Sequence, residues 1–179
     1  MPIVWLDEIV FTKNTIIKQT WSNRGVHFKT TSEDYYYPYR CAIVAVHSSI
    51  GLVKAQIYEK AVNEQIFLDY IADLSAAMNG EAFCLYLDQL NIHKMITVRE
   101  SCEAHNIYLI LNAAAMPDLN AIETCFCQVK LKYKQQRLHA LVNEIEFDVE
   151  DAINKALEVI TPELVKACVK RSIYLLHNH

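Results

Sequence analysis

Apolar residues run almost unbroken from Ile3 to Phe11, and the break is a pair of acids, Asp7 and Glu8. Such a run reads as a strand, here interrupted at its centre by charge. Two β-branched runs, 41–47 and 52–58, flank Ser48-Ser49-Ile50-Gly51, which is a hairpin signature. From Val62 to Met78 the apolar residues fall at 62, 66, 67, 70, 71, 74 and 78, the step of an amphipathic helix. A fourth strand ends near Leu87, a helix is expected from Lys94 to His105, and 107–111 reads as a fifth strand. Further helices are expected from Asn120 to Gln136, over roughly 147–158 and over 162–176. Thr161 caps the last of these, with Pro162 in its first position. Thr12 to Arg40 reads as irregular, with a turn at 21–25. The order of elements predicts an α/β fold: a mixed five-stranded sheet flanked by helices, with additional C-terminal helices. With no repeat, low-complexity tract or interdomain linker in sight, residues 1–179 are read as one domain.

Composition narrows this reading. Three glycines and four prolines in 179 residues, 53% of them hydrophobic, argue against disorder and against a loop-rich all-β fold. A formal net charge of −4 means that any affinity for a polyanion must come from a local patch. The six cysteines, mostly inside apolar runs, read as buried free thiols in a reducing compartment. Cys125-Phe126-Cys127 is too tight for the usual zinc spacing. Asp7 and Glu8 rule out a signal peptide at Met1–Val10, and no run reaches the roughly 20 apolar residues that span a bilayer. The expectation is a soluble, intracellular protein.

Three acids stand where chemistry is expected. Asp7 interrupts the first strand. Asp88 ends the fourth, where its carboxylate emerges at a sheet edge, the usual place for an α/β site. Glu123 lies one turn into a long helix. If the first and fourth strands are neighbours and that helix crosses the same edge, the three carboxylates converge. Converging carboxylates repel, and a hard divalent cation, Mg²⁺ or Mn²⁺, resolves the repulsion. Two such ions about 3.5–4 Å apart suit phosphodiester chemistry. Plainer readings stay open on spacing alone. Asp7 then sits in a solvated break, Asp88 caps the next helix, and Asn120 and Glu123 form a capping box.

Flanking residues add a resemblance. Val4-Trp5-Leu6-Asp7-Glu8, the stretch Leu85 to Lys94 (LYLDQLNIHK) and the stretch Met116 to Lys130 (MPDLNAIETCFCQVK) resemble the three acidic segments of mariner-type DDE transposases. These belong to the retroviral-integrase, ribonuclease-H-like superfamily. The 34 residues between Asp88 and Glu123 match the spacing of the glutamate-bearing branch, and Thr20 to Gly25 resembles its Trp…Gly turn. The resemblance covers the chain to about Arg137. It implies a ribonuclease-H-like catalytic core without the family's N-terminal helix-turn-helix region. Asp7, Asp88 and Glu123 would be both catalytic residues and ligands of two Mg²⁺ or Mn²⁺ ions. The implied reaction is cleavage of transposon-end phosphodiesters and transfer of the 3′-hydroxyl end to target DNA. A homo-oligomer on double-stranded DNA is implied too, in the nucleus or on the nucleoid according to host. The chain departs from the pattern at Gln89, where Asn is usual, at 112–116, where aromatic residues and proline are common, and at Ala121, where proline is common. These departures define the alternative: an inactive, domesticated relative acting as a DNA-binding or architectural protein.

DNA contacts are expected on the Glu123 helix. Steps of three and four residues align Glu123, Cys127, Lys130, Lys134 and Arg137, with Ile122, Phe126, Val129 and Tyr133 facing the core. A basic stripe leading from a metal site suits a phosphate backbone; without the resemblance it is an ordinary solvated face. His93 and Lys94, just after Asp88, are expected to reach phosphate, with Arg24 a further candidate. The tyrosines at 35–39 lack the activating Arg/His set that a nucleophile needs.

Overall fold

A computed structural model of the chain describes residues 1–12, 15, 39–113, 116 and 119–177. Arg24 and the turn expected at 21–25 lie outside the described residues. Five strands form one sheet: β1 (Ile3–Phe11), β2 (Arg40–His47), β3 (Gly51–Tyr58), β4 (Phe83–Leu87) and β5 (Ile107–Leu111). Their spatial order is β3-β2-β1-β4-β5. β1 is therefore central, which is why its run is apolar on both alternating sets. The two acids do not interrupt it: Asp7 pairs with Val44 and Glu8 with Ile43 across the antiparallel ladder to β2. Backbone pairing is indifferent to side-chain charge, so a central strand can carry a polar group wherever that group finds partners.

Among the described residues five helices cover the sheet: α1 (Glu64–Ala77), α2 (Ile96–Ala104), α3 (Ala121–Val142), α4 (Val149–Leu157) and α5 (Pro162–His177). A short 3₁₀ turn, Ile92–Lys94, precedes α2. Ile9 and Phe11 on β1 join Ile122, Phe126, Val129 and Tyr133 of α3 and the apolar faces of α4 and α5 in one core. Val4 and Leu6 join Leu85 and Leu87 of β4 with Phe67, Tyr70, Ile71 and Leu74 of α1 in the other. The four α3 side chains expected in the core are all buried. Full burial of an aliphatic or aromatic side chain contributes about 1.5–3 kcal/mol, so this face fixes the helix onto the sheet.

α3 continues to Val142, past the expected end near Gln136. No Gly or Pro interrupts 137–142, and Ala140 is buried. Asn143 ends the helix, donating from Nδ2 to the His139 carbonyl at 2.7 Å. Asn63 caps α1 and Asp148 caps α4, each accepting backbone N–H bonds in the first turn. Of the cysteines, 41, 102, 125 and 168 are buried as expected; Cys84 is half-buried and Cys127 exposed, and all are free thiols.

The hairpin between β2 and β3 closes on Gly51, at φ +83°. A Cβ there would lie 2.7 Å from the Ile160 carbonyl oxygen and 2.9 Å from the Pro162 nitrogen. The linker into α5 therefore presses on bare backbone. Gly51→Ala is expected to cost about 2–4 kcal/mol in urea unfolding, through left-handed strain and collision together. Gly80→Ala, at φ +70° with open space around it, carries only the conformational strain of about 1–2 kcal/mol. Equal losses would contradict the packing account.

Candidate metal site at the sheet edge

β1 and β4 run parallel, with Trp5 opposite Tyr86. Two residues further along the same register, Asp88 comes level with Asp7. Because side chains alternate, Trp5, Asp7 and Ile9 share the face that α3 covers, while Leu6 and Glu8 share the other. Asp7 is only 6% exposed. Its Oδ1 accepts the Glu8 N–H at 2.8 Å, and its Oδ2 accepts Asn120 Nδ2 at 3.2 Å. Burial raises its pKa to about 8; the Glu8 N–H opposes this, and the charges of Glu123, Glu8 and Asp88 add to it. A carboxylate so poised gains from any positive charge that arrives beside it.

Asp88 follows the last residue of β4. Its Oδ1 accepts the Leu90 N–H at 3.1 Å and His93 Nδ1 at 2.7 Å. Burial works against its charge, but the bonds from His93 and Leu90 and the charges of His93 and Lys94 hold its pKa below the ordinary value. His93 is expected from sequence at the DNA, and the structure places it elsewhere. Its side chain is fully buried, with Nδ1 on Asp88 and Nε2 3.3 Å from Glu8 Oε1. The Phe67 ring lies 4.7 Å from its own, tilted by 36°. Burial disfavours a charged ring, yet the bonds to Asp88 and Glu8, with their charges, raise its pKa to about 9.

Glu123 is exposed in the first turn of α3, close enough for its charge to act on Asp7. The capping box is not formed. Asn120 occupies the cap position but makes no side-chain bond to the helix backbone. Its amide nitrogen goes to Asp7 instead, and its buried Oδ1 has no hydrogen-bond partner among the described residues. Sequence reasoning offers Asn120 only a capping role and Glu8 none. Adjacency to Asp7 and to the Ile122-Glu123 pair was the available signal.

These donors suit a hard cation. Asp7, Asp88 and Glu123 offer only oxygen, and Asp7 is buried within reach of the charges of Glu123, Glu8 and Asp88. Among the described residues, no three His, Cys, Asp or Glu side chains stand close enough together to hold an ion.

The DNA candidates divide. Lys94 is exposed beside Asp88, and Lys130 and Lys134 are half-buried along α3. Arg137 is turned aside, its guanidinium 4.8 Å above the Phe147 ring. The helix continues past it, and the chain returns at Phe147 to pack against its C-terminal half. The departures at Gln89 and 112–116 meet each other: Gln89 Nε2 donates to the Asn112 carbonyl at 2.8 Å. Asn112 is buried, accepts from Tyr86 Oη at 2.7 Å and donates to the Met116 carbonyl at 2.7 Å.

Residues 2–146 match the family model described as DDE superfamily endonuclease. Among solved structures, the mariner Mos1 paired-end complex with Mg superposes with a TM-score of 0.66 at 16% identity, covering 99% of this chain and 55% of that one. The corresponding complex with Mn gives 0.60 at 16% identity, covering 96% and 55%. The Mos1 catalytic domain gives 0.52 at 16% identity, covering 96% and 82%. The chain thus spans about half the length of the Mos1 chains in those complexes. It shares their fold, a ribonuclease-H-like mixed sheet flanked by helices. No curated protein matches the sequence. Among the described residues no helix is long and apolar enough to cross a membrane.

The raised pKa of Asp7 has a stability consequence with a definite sign. The unfolded carboxyl loses its proton near 3.8, the folded one near 8. Between these values the folded state binds more protons, so this group's contribution falls as pH rises. Asp7→Asn is expected to be more stable than the native chain above pH 4, by a margin that grows to about pH 8. The margin should be on the order of 1–3 kcal/mol, or several degrees in Tm. Millimolar Mn²⁺ should reverse the order by stabilising only the native site. Thermal melts across pH, with and without Mn²⁺, check both statements.

Proposed function

Because the chain belongs to the DDE superfamily of endonucleases, we propose that it cleaves transposon-end DNA and joins the freed 3′-hydroxyl to target DNA. The observation that carries this reading is that Asp7 on β1 and Asp88, just past the end of β4, fall at one level when the parallel register is continued, with Glu123 on the helix that covers Asp7. In the proposed site, Asp88 keeps Oδ1 engaged with the protein and turns Oδ2 to the ion, Asp7 offers a carboxylate whose Oδ2 is shared with Asn120, and Glu123 supplies the third. Mg²⁺ or Mn²⁺, two ions in the full reading, would supply the positive charge that activates the attacking oxygen and steadies the leaving one. Water is the attacking group in cleavage and the 3′-hydroxyl in transfer.

The protein's own part is positioning. Lys94 stands beside Asp88, where a scissile phosphate would sit, and Lys130 and Lys134 continue along α3 as the track for the DNA backbone. Double-stranded DNA, transposon end and target, is the proposed partner, and a homo-oligomer around paired ends the proposed assembly. The Mos1 structures support both metals and DNA for that protein, as paired-end complexes with Mg and with Mn. An inactive, DNA-binding relative remains the alternative suggested by the departures. The three acids at their family spacing favour the active reading.

Two measurements test the proposal. In Mn²⁺ the chain should nick supercoiled plasmid, and Asp88→Ala should reduce nicking to background while still folding. Nicking that survives in the variant would overturn the site. Changing Lys130 and Lys134 together to Glu should weaken DNA binding regardless of sequence. It should also lower the slope of log affinity against log salt by roughly 2. An unchanged slope would remove the basic track.

A further inference from the structure

We propose that Glu8, acting through His93, is the positioning residue that fixes which oxygen Asp88 presents to the metal. The inference rests on the reading of Asp7 and Asp88 as metal ligands, and goes beyond it by giving Glu8 and His93 roles. Glu8 reaches both aspartates. Its backbone N–H binds Asp7 Oδ1 at 2.8 Å. Its side chain, on the opposite face of β1, meets His93 Nε2 at 3.3 Å, and the other ring nitrogen binds Asp88 Oδ1 at 2.7 Å. The Glu8 side chain thus holds Oδ1 of Asp88 through a single ring, while Asp7 has Oδ1 on the backbone and Oδ2 on Asn120.

The arrangement is more specific than a core histidine needs. A buried imidazole is satisfied by a backbone carbonyl and a water; here both nitrogens end on carboxylates. The ring cannot swing away, because it is fully buried against Phe67. Asp88 rotates about one bond at the end of a strand, and without the ring either oxygen could turn inward. With the ring in place, Oδ1 stays on the protein side and Oδ2 on the solvent side, where Asp88 is 36% exposed. Holding a ligand in one orientation before the ion arrives removes the ordering cost from binding, as outer partners of metal ligands generally do.

The test is Mn²⁺ affinity, read by electron paramagnetic resonance of free ion, on variants whose folding is checked by melting. Glu8→Ala and His93→Phe, the latter filling the ring's volume, should each weaken binding about 10–100-fold. Glu8→Gln keeps an acceptor for Nε2, and His93→Asn places an amide nitrogen where Nδ1 stood. Both should recover most of the affinity, which a merely space-filling role would not predict. Native affinity in folded Glu8→Ala and His93→Phe would overturn the inference and leave the proposed function standing. No Mn²⁺ binding by the native chain would overturn both. Should His93→Phe fail to fold, nuclear magnetic resonance of the native chain decides. The His93 Nδ1 proton should resonate far downfield and move in both Asp88→Asn and Glu8→Gln, and its indifference to Glu8→Gln would overturn the inference.

Discussion

A slip of one residue between β1 and β4 would send Asp88 to the opposite face of the sheet from Asp7, because side chains alternate along a strand. The parallel register that sets Trp5 against Tyr86 is therefore the constraint from which the site follows. It is enforced by burial. Val4 and Leu6 of β1 and Leu85 and Leu87 of β4 are fully buried in the same core. A slip would drive the half-exposed set, Cys84 and Tyr86, into that core and expose the leucines. The acids add nothing to this register; they occupy the places that the hydrophobic pattern leaves level.

Charge then sets what the site can do. Asp7 is held in low-dielectric surroundings with Glu8, Asp88 and Glu123 near it, an arrangement that costs stability in the folded chain. Only part of the charge is answered from within, by His93 on Asp88 and Glu8. Asn120 spends its amide nitrogen on Asp7 instead of capping α3. Sites that give up local stability in this way are where function is expected. The net charge conceals this, because basic residues on α3 and acids after it cancel in the sum.

Most of the fold was legible because the relevant signals are periodic. β1 and β5 were read to the residue, and the hairpin and α5 nearly so, since alternation and helical steps are properties of the chain itself. The three acids were nominated from strand ends, with spacing and flanking segments adding the family; their joint service as metal ligands is the proposal. What escaped depends on contacts distant in sequence. His93 follows Asp88 closely enough to suggest a surface role, but whether it turns outward or inward depends on Phe67 and Glu8, which are 26 and 85 residues away. Arg137 sits correctly on the basic face of a helical wheel, yet the chain's return at Phe147 captures it. Asn120 and Glu123 satisfy a capping pattern by spacing, and only the position of Asp7 across the sheet shows which bond wins.

The central claim is that Asp7, Asp88 and Glu123 bind a divalent ion together. Crystals of the chain soaked in Mn²⁺ and measured at the manganese absorption edge test it most directly. The account predicts an anomalous peak between the carboxylates of Asp7 and Asp88, with Glu123 drawn toward it. A peak elsewhere on the molecule, or none at saturating Mn²⁺, would contradict it.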